Sequence, residues 1–314
     1  MIIMRISGGL GNQMFQYALG RFLATKNNAE LVLDLSGFMP KKNETFRQFS
    51  LDKFNTRYRT ATEKDFKAPA WFMFRGLSHS LWAQSPGTIT SINRIHRKLI
   101  RILESRRPIT KRKFIMEPVF TFQKEILGIT GNHYLSGVWQ SEKYFKSNED
   151  EIRRDFTLKN PLSPAAKNME ASIRSAEAVS VHIRRGDYVN DPHTLEKHGV
   201  CSVEYYEEAV NRMQSLHPSC RFFIFSDDRN WVEKNINMPK DSVYVSDGKA
   251  FSDYEELTLM SKCKHNITAN SSFSWWGAWL NQNPDKTVIA PKKWFGEKNK
   301  SDTKDLIPES WIRM

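Results

Sequence analysis

Apolar residues in this chain follow two periods. In residues 178–183 (AVSVHI), Val179, Val181 and Ile183 alternate with serine and histidine, which is typical of a β-strand. In residues 12–27, apolar side chains recur four positions apart, as they do in a helix that buries one face. The two periods alternate along most of the chain. Strands that alternate with helices predict parallel sheets covered by helices on both faces, and therefore an α/β fold.

The same two periods predict strands and helices along the whole chain except in residues 36–130. Residues 36–130 are aromatic-rich and basic and show few clear periods. Two prolines in residues 159–164 (KNPLSP) predict a linker, so we expect an N-terminal domain of residues 1–158 and a C-terminal domain of residues 159–314. The predicted strands are residues 2–7, 29–35, 133–140, 178–183, 221–227, 242–246, 265–269 and 287–291, and the predicted helices are residues 12–27, 141–156, 202–216, 230–236, 253–263 and 271–282.

Length and composition narrow the class of protein. A chain of 314 residues with 39% hydrophobic and 12% aromatic residues can build the cores of two domains. No apolar run approaches the roughly 20 residues that a membrane span needs. The N-terminus becomes glycine-rich too early for a secretion signal, so we expect none. The three cysteines, Cys201, Cys220 and Cys263, form no CxxC pair, which predicts reduced thiols in a cytoplasmic protein.

The net charge of +12 resides in the N-terminal half, because residues 156–314 contain equal numbers of basic and acidic residues. The densest segment, residues 93–113, holds nine basic residues and one acidic residue. Its apolar residues recur at helical spacing, so we expect a basic amphipathic helix followed by a basic loop. Two interpretations are equally open: contact with a polyanion or an anionic membrane surface, and a helix face that meets only water. Nucleic acid is a weaker candidate because no known binding motif accompanies the charge.

Polar residues suited to anion binding follow three of the predicted strands. Because the carboxyl ends of parallel strands meet at one edge of a sheet, we expect these residues to lie together. A helix start offers unpaired backbone N–H groups, and a guanidinium pairs with phosphate oxygens through two parallel hydrogen bonds. Together they favour a diphosphate site over the alternative of an arginine-rich turn stabilised by an ion pair. The residues are Arg184 and Arg185, then Ser226, Asp227 and Asp228, then Asn270, Ser271 and Ser272.

A glycine turn (SGGLGNQ, residues 7–13) lies between the first predicted strand and the first helix. Such a turn lets a ligand or a neighbouring segment come close to the backbone. The sequence has no GxxxxGK[ST] motif, no DxD pair and no histidine–cysteine cluster with metal spacing. We therefore expect arginine side chains and helix dipoles to neutralise the diphosphate, with no metal ion or other cofactor.

Three segments carry a family resemblance: GGLGNQMFQYA (8–18), HIRRGDY (182–188) and ANSSFSWWGAWL (269–280). Together they resemble bacterial α-1,2-fucosyltransferases, which are inverting enzymes that use GDP-fucose. The resemblance implies a GT-B-like fold, with two Rossmann-like domains facing a cleft and the nucleotide sugar on the C-terminal domain. It also implies a galactose-terminated acceptor glycan, such as a lipid-linked O-antigen precursor. The enzyme would then work in the cytoplasm, with peripheral attachment to the inner membrane face as an open option.

The resemblance also implies roles for individual residues. Arg184 would grip the β-phosphate with Arg185 in support, while Asp187 would orient the arginines or their turn. Glu256 stands where relatives mostly carry aspartate and would accept hydrogen bonds from guanine. The other residues expected to bind GDP-fucose are Gly9, Asn12, Gln13, His182, Ser226, Asp227, Asn270, Ser271, Ser272 and Ser274.

Charge development in the reaction points to the same residues. Departure of GDP leaves positive charge on the sugar and negative charge on the β-phosphate, which Arg184 and the helix start at Ser271–Ser272 would stabilise. The acceptor hydroxyl attacks the opposite face, so the configuration inverts. Asp191 and His193 are the candidate general bases, and a route with little base assistance stays open.

Two other functions fit part of the sequence. A transferase for another GDP-sugar would need the same arginines, whereas a peripheral polyanion- or membrane-binding protein with an inactive site would not. The intact arginine cluster argues against the second of these. Trp275, Trp276 and Trp279 are spaced three and four apart, which favours packing in a core over stacking on a sugar.

Overall fold

The computed structural model describes residues 1–38, 47–66, 102, 104, 106–186, 189, 195–196, 198–246 and 251–314. The strands are β1 (Ile2–Arg5), β2 (Leu31–Asp34), β3 (Arg59–Thr60), β4 (Phe114–Met116), β5 (His133–Ser136), β6 (Glu177–Ile183), β7 (Cys220–Ser226), β8 (Val243–Tyr244), β9 (His265–Ile267), β10 (Val288–Ala290) and β11 (Ile312–Arg313). The α-helices are α1 (Leu10–Lys26), α2 (Glu149–Asp155), α3 (Pro164–Arg174), α4 (Val203–Leu216), α5 (Arg229–Asn235), α6 (Asp253–Lys262) and α7 (Ser272–Leu280).

These strands form two parallel sheets. Within the described residues, the first sheet has the strand order β3-β2-β1-β5-β4, and the second has the order β11-β10-β9-β6-β7-β8. The central strands β1 and β6 are buried almost throughout, and in β6 this burial includes the polar residues Ser180 and His182. Two parallel sheets flanked by helices confirm the predicted α/β, GT-B-like arrangement.

Helices α1 and α7 join the two halves. Phe15 on α1 lies 4.5 Å from the ring of Trp275 and 5.0 Å from that of Trp276, measured between ring centroids. Both tryptophans are fully buried, and Trp279 is 3% exposed, so the prediction of core packing is confirmed. The indole N–H of Trp276 donates to the carbonyl of Gly11 at 3.0 Å, which ties the second turn of α7 to the first turn of α1.

The approach of the two helices depends on a glycine. A Cβ placed on Gly11 would lie 2.5 Å from the carbonyl carbon of Ser272. Since real Cβ atoms do not approach carbon so closely, only glycine permits this spacing. The glycine turn predicted to admit a close neighbour therefore admits the start of α7.

Several element predictions were wrong in detail. Residues 137–140 form a turn instead of extending β5, and Trp139 has a φ of +55°. The helix predicted over residues 141–156 exists only as α2, preceded by the 3₁₀ turns Glu142–Tyr144 and Lys146–Asn148. Helix α3 was not predicted. It begins with Pro164, and the Ser163 hydroxyl accepts the N–H of Ala166 as its N-cap.

The domain boundary at residues 158–159 stays a prediction. All described strands of the first sheet precede it, and those of the second sheet follow it. Most of the basic segment 93–113 lies outside the described residues, so its predicted helix stays a prediction as well. Among the residues that the structure describes, no helix is long and apolar enough to cross a membrane.

Candidate active site

The second sheet brings three predicted strand ends together. Ile183 at the end of β6 is the register partner of Ser226 at the end of β7, and Val181 is the partner of Ile267 at the end of β9. The residues that follow these strands therefore emerge side by side at one edge. This edge carries Arg184, Asp227 and the start of α7, as the sequence predicted.

Asp227 orients the first arginine. Its Oδ2 lies 2.8 Å from Nη1 of Arg184, and its Oδ1 accepts the backbone N–H of Arg185 at 2.8 Å. About a quarter of the Arg184 side chain is exposed, since its relative accessibility is 24%. A Cβ on Gly186 would lie 2.6 Å from Oδ2 of Asp227, so the absence of a side chain at Gly186 makes room for this carboxylate. The guanidinium is thus held in place while part of it stays accessible.

Arg185 is engaged differently. Its guanidinium carbon lies 3.5 Å from the centre of the Trp231 ring, and its Nε lies 3.4 Å from Oδ2 of Asp228. Asp228 also caps α5 by accepting the N–H of Trp231 at 3.2 Å. A stacked and paired arginine of this kind supports the turn and adds positive potential. The role in donor binding that the resemblance implies for Arg185 stays a prediction.

His182 is a buried, neutral side chain. It is 5% exposed and packs on the ring of Phe273 at 5.6 Å. Burial, and secondarily the charge of Arg184, lowers its pKa to about 3. The imidazole therefore carries no charge at neutral pH. Its Nδ1 makes no hydrogen bond with any residue of the described ranges.

Glu256 lies close to the arginine edge. Burial raises its pKa to about 7, and the charges of Asp253 and Asp227 add to the rise. The charge of Arg184 acts in the opposite direction. A carboxyl group near this edge, partly exposed on α6, can accept hydrogen bonds from a base such as guanine.

Helix α1, which follows strand β1 of the first sheet, begins next to the start of α7. Gly9 is the N-cap of α1, and open space surrounds its Cα. The hydroxyl of Ser272 donates to Oδ1 of Asn12 at 3.0 Å, so the N-termini of α1 and α7 meet. Neither helix has an acidic residue in its first turn. The positive ends of two helix dipoles favour an anion at this junction.

Four predicted donor-binding side chains form hydrogen bonds within the protein. The amide of Gln13 bonds to three backbone groups, and the amide nitrogen of Asn270 reaches three backbone carbonyls at 2.9–3.2 Å. The hydroxyl of Ser274 bonds to the backbone of its own turn, and that of Ser271 accepts the N–H of Phe273 as the N-cap of α7. These side chains build the site, and their contact with a donor stays a prediction.

Three of the predicted catalytic residues, Asp187, Asp191 and His193, lie outside the described residues. The fourth, Arg184, is described above. The two halves border an open cavity of about 850 Å³. Its lining includes Val119, Phe120 and Thr121 from the first half, and residues 298–302 from the second half.

One cluster on the opposite edge has metal-type residues. Glu177, His217 and His265 lie near the amino ends of their strands, and their nearest ligand atoms are within 4.8 Å of one another. However, Nδ1 of His265 accepts the backbone N–H of Thr287 at 3.0 Å, which places the ring proton on Nε2. The nitrogen that faces Glu177 therefore has no lone pair for a metal. The two imidazole rings stack at 3.7 Å instead.

Sequence reasoning missed a polar layer behind the junction. Gln140 donates to Oδ1 of Asn12 at 2.7 Å, and Gln16 bonds to Ser7 and to the carbonyl of Gly137. These glutamines hold the ends of β1 and β5 together. Nothing in the spacing of the sequence identifies them, because residues 137–140 have the apolar composition of a strand.

Comparison with known proteins agrees with this architecture. The model of "Glycosyl transferase family 11" matches residues 91–314. An α-1,2-colitosyltransferase of Escherichia coli is 34% identical over 319 residues, covering 100% of this chain and 98% of that protein. The O-antigen biosynthesis glycosyltransferase WbnK of Escherichia coli is 33% identical over 318 residues, covering 98% and 99%. Galactoside α-(1,2)-fucosyltransferase 1 of Leontocebus fuscicollis is 30% identical over 154 residues, covering 46% and 42%.

Fold, site and relatives together define a glycosyltransferase of α/β architecture. The chain belongs to glycosyl transferase family 11.

Proposed function

We propose that this chain transfers L-fucose from GDP-β-L-fucose to the 2-hydroxyl of a terminal galactose in a glycan, with inversion. The observation that carries the proposal is the junction of the α1 and α7 N-termini, at the sheet edge where Asp227 holds Arg184. A diphosphate bound there would meet a guanidinium and two positive helix ends. Guanine would lie towards Glu256.

The catalytic step follows from this placement. As the bond between the sugar and the β-phosphate breaks, its electron pair passes to the phosphate oxygen. Arg184 and the N–H groups at the start of α7 stabilise that charge without rearranging, which is the most effective form of electrostatic catalysis. The acceptor hydroxyl attacks from the side of the N-terminal half. Asp191 and His193 stay candidate bases in this scheme.

The relatives support α-1,2 transfer from a GDP-sugar more strongly than they support fucose as the transferred sugar. The names of the colitosyltransferase and the galactoside fucosyltransferase both state an α-1,2 linkage. The colitosyltransferase matches almost the whole chain, whereas the galactoside fucosyltransferase matches less than half of it. Colitose is L-fucose without its 3-hydroxyl group. Transfer of another GDP-linked 6-deoxy sugar is therefore the second candidate function.

A donor panel distinguishes these two candidates. Purified enzyme is incubated with GDP-fucose, GDP-colitose or GDP-mannose and a set of galactose-terminated oligosaccharides, and acceptor-dependent release of GDP is measured. We expect kcat/KM to be highest for GDP-fucose. A higher kcat/KM for GDP-colitose would show that colitose, and not fucose, is the preferred donor sugar. Absence of acceptor-dependent GDP release with every donor would refute the proposal.

The acceptor in the cell is proposed to be a lipid-linked O-antigen precursor, as the name of the WbnK relative suggests. The basic segment 93–113 would then attach the enzyme reversibly to an anionic membrane surface. Substituting Arg94, Arg97, Lys98 and Arg101 by glutamine should release the protein from anionic vesicles and leave transfer to a soluble acceptor intact. Unchanged vesicle binding would refute the attachment.

A further inference from the structure

A carboxylate at the edge of the first sheet is held in an unusual way. Glu117 directly follows β4, and the next residue, Pro118, ends the strand because it has no N–H to donate. Oε2 of Glu117 accepts the backbone N–H of Val138 at 2.6 Å, and Oε1 accepts that of Trp139 at 3.0 Å. Two main-chain donors therefore fix both oxygens of one side chain.

The turn that supplies these donors is shaped around the carboxylate. Trp139 has a φ of +55°, a left-handed conformation that costs a bulky residue on the order of 1 kcal/mol or more. A Cβ on Gly137 would overlap the Cβ of Glu117, so the turn also requires a glycine. Strain of this kind persists only where the surroundings enforce it, and it concentrates at functional sites.

The same turn reaches the junction of the two helix starts. Gln140 donates to Oδ1 of Asn12 at 2.7 Å, and Asn12 accepts the hydroxyl of Ser272 at 3.0 Å. Val119, two residues beyond Glu117, lines the 850 Å³ cavity between the halves. Two residues span at most about 7 Å, so Glu117 lies beside this cavity, and the turn that binds its carboxylate connects it to the helix junction.

The electrostatic surroundings of Glu117 suit proton transfer. Burial raises its pKa to about 7, and the two backbone N–H groups offset part of that rise. The neighbouring titratable group is the phenol of Tyr144, whose ring packs against Trp139 at 5.7 Å. Among the described residues Glu117 forms no ion pair, yet its side chain is partly exposed. A base works best when its pKa lies near the working pH.

We propose that Glu117 is the general base that takes the proton from the attacking hydroxyl of the acceptor glycan. This inference rests on the proposed transferase function. The acceptor O–H bond breaks and its proton moves to a carboxylate oxygen of Glu117, while the acceptor oxygen forms a bond to C1 of the sugar. The bond between C1 and the β-phosphate breaks, and GDP leaves with the electron pair. Solvent then takes the proton from Glu117.

The test compares Glu117→Gln with Glu125→Gln, a matched substitution at an exposed position. We expect kcat for transfer to fall at least 100-fold in Glu117→Gln, within the usual range for loss of a general base. The affinity for GDP and the thermal midpoint should stay close to those of Glu125→Gln. In the wild type with saturating GDP-fucose, which keeps Glu256 occupied by guanine, kcat/KM for the acceptor should rise tenfold per pH unit below about pH 7 and level off above it. This pH dependence should be absent in Glu117→Gln.

Other outcomes overturn the inference. Retention of more than a tenth of wild-type kcat, or an unchanged acidic limb, would show that Glu117 only braces the turn. If Glu117→Gln does not fold, Glu117→Asp decides: a reduced rate with a shifted limb supports the base, and an unchanged rate and limb refute it. Absence of transfer by the wild type would instead refute the proposed function.

Discussion

Arg184 is held by one carboxylate in a place where two phosphate oxygens would compete for it. The 2.8 Å contact with Asp227 keeps the guanidinium plane in position before a donor arrives. Preorganisation of this kind matters because a charge that must first move stabilises a transition state less well. A lysine at this position would keep the charge but lose the planar, two-pronged geometry.

We therefore expect Arg184→Lys to retain less than a tenth of wild-type transfer, with little change in thermal stability. Arg174→Lys serves as the control, because Arg174 lies on the exposed end of α3 and pairs with Glu170. Initial rates of GDP release with saturating acceptor measure the effect. Activity above a tenth of the wild-type value corresponds to a loss of transition-state stabilisation of less than about 1.4 kcal/mol, and it would show that Arg184 is not a catalytic residue.

His182 links the site to the stability of the fold. Its pKa is about 3 in the folded protein, below the ordinary value of 6.5, because the ring is buried. As the pH falls below 6.5, the unfolded chain binds a proton that the folded protein does not, so stability decreases. Between pH 6.5 and pH 5 the loss from this one group is about 2 kcal/mol.

Substituting His182 by glutamine should make the stability less dependent on pH. The free energy of unfolding in urea, measured at pH 7 and pH 5, should differ by about 2 kcal/mol less in His182→Gln than in the wild type. The variant should be less stable at both values, because its contact with Phe273 is lost. An equal pH difference in both proteins would show that His182 is not held neutral.

Two helix starts meet at Gly11, and their spacing determines whether both can face one diphosphate. We expect Gly11→Ala to destabilise the protein by about 1–3 kcal/mol, since the added methyl group overlaps the backbone of Ser272. Gly128→Ala is the matched control, because open space surrounds that position. The free energy of unfolding in urea and the affinity for GDP should both decrease in Gly11→Ala and stay unchanged in Gly128→Ala. Equal stability of the two variants would contradict the close approach of α1 and α7.

The elements also show what the sequence could predict. The placement of Arg184, Asp227 and Ser272 followed from alternation of strands and helices, because parallel strands end at one edge. The role of Glu117 could not be predicted, since its partners are main-chain N–H groups of a turn whose residues resemble a strand. The hydrogen bonds of Gln13 and Asn270 to the backbone could not be predicted either, because spacing along the chain does not determine which backbone groups a side chain will contact.

For the molecule as a whole, charge neutralisation without a metal remains a prediction. Arginine and helix ends supply positive potential at the junction, and the Glu177–His217–His265 cluster lies on the opposite edge of the second sheet. We expect full transfer activity in excess EDTA. Loss of activity with EDTA and its return with Mg²⁺ or Mn²⁺ would show that a divalent cation helps the leaving group.

The most direct test follows the anomeric proton by NMR while the enzyme acts on GDP-β-L-fucose and a galactose-terminated acceptor. We predict a new α-linked fucosyl signal, with a correlation to C2 of galactose, in the wild type, and less than a tenth of that signal in Arg184→Lys over the same time. A β-linked product would contradict inversion, and a linkage to another position would contradict the proposed acceptor hydroxyl. An equal signal from Arg184→Lys would contradict the assigned site.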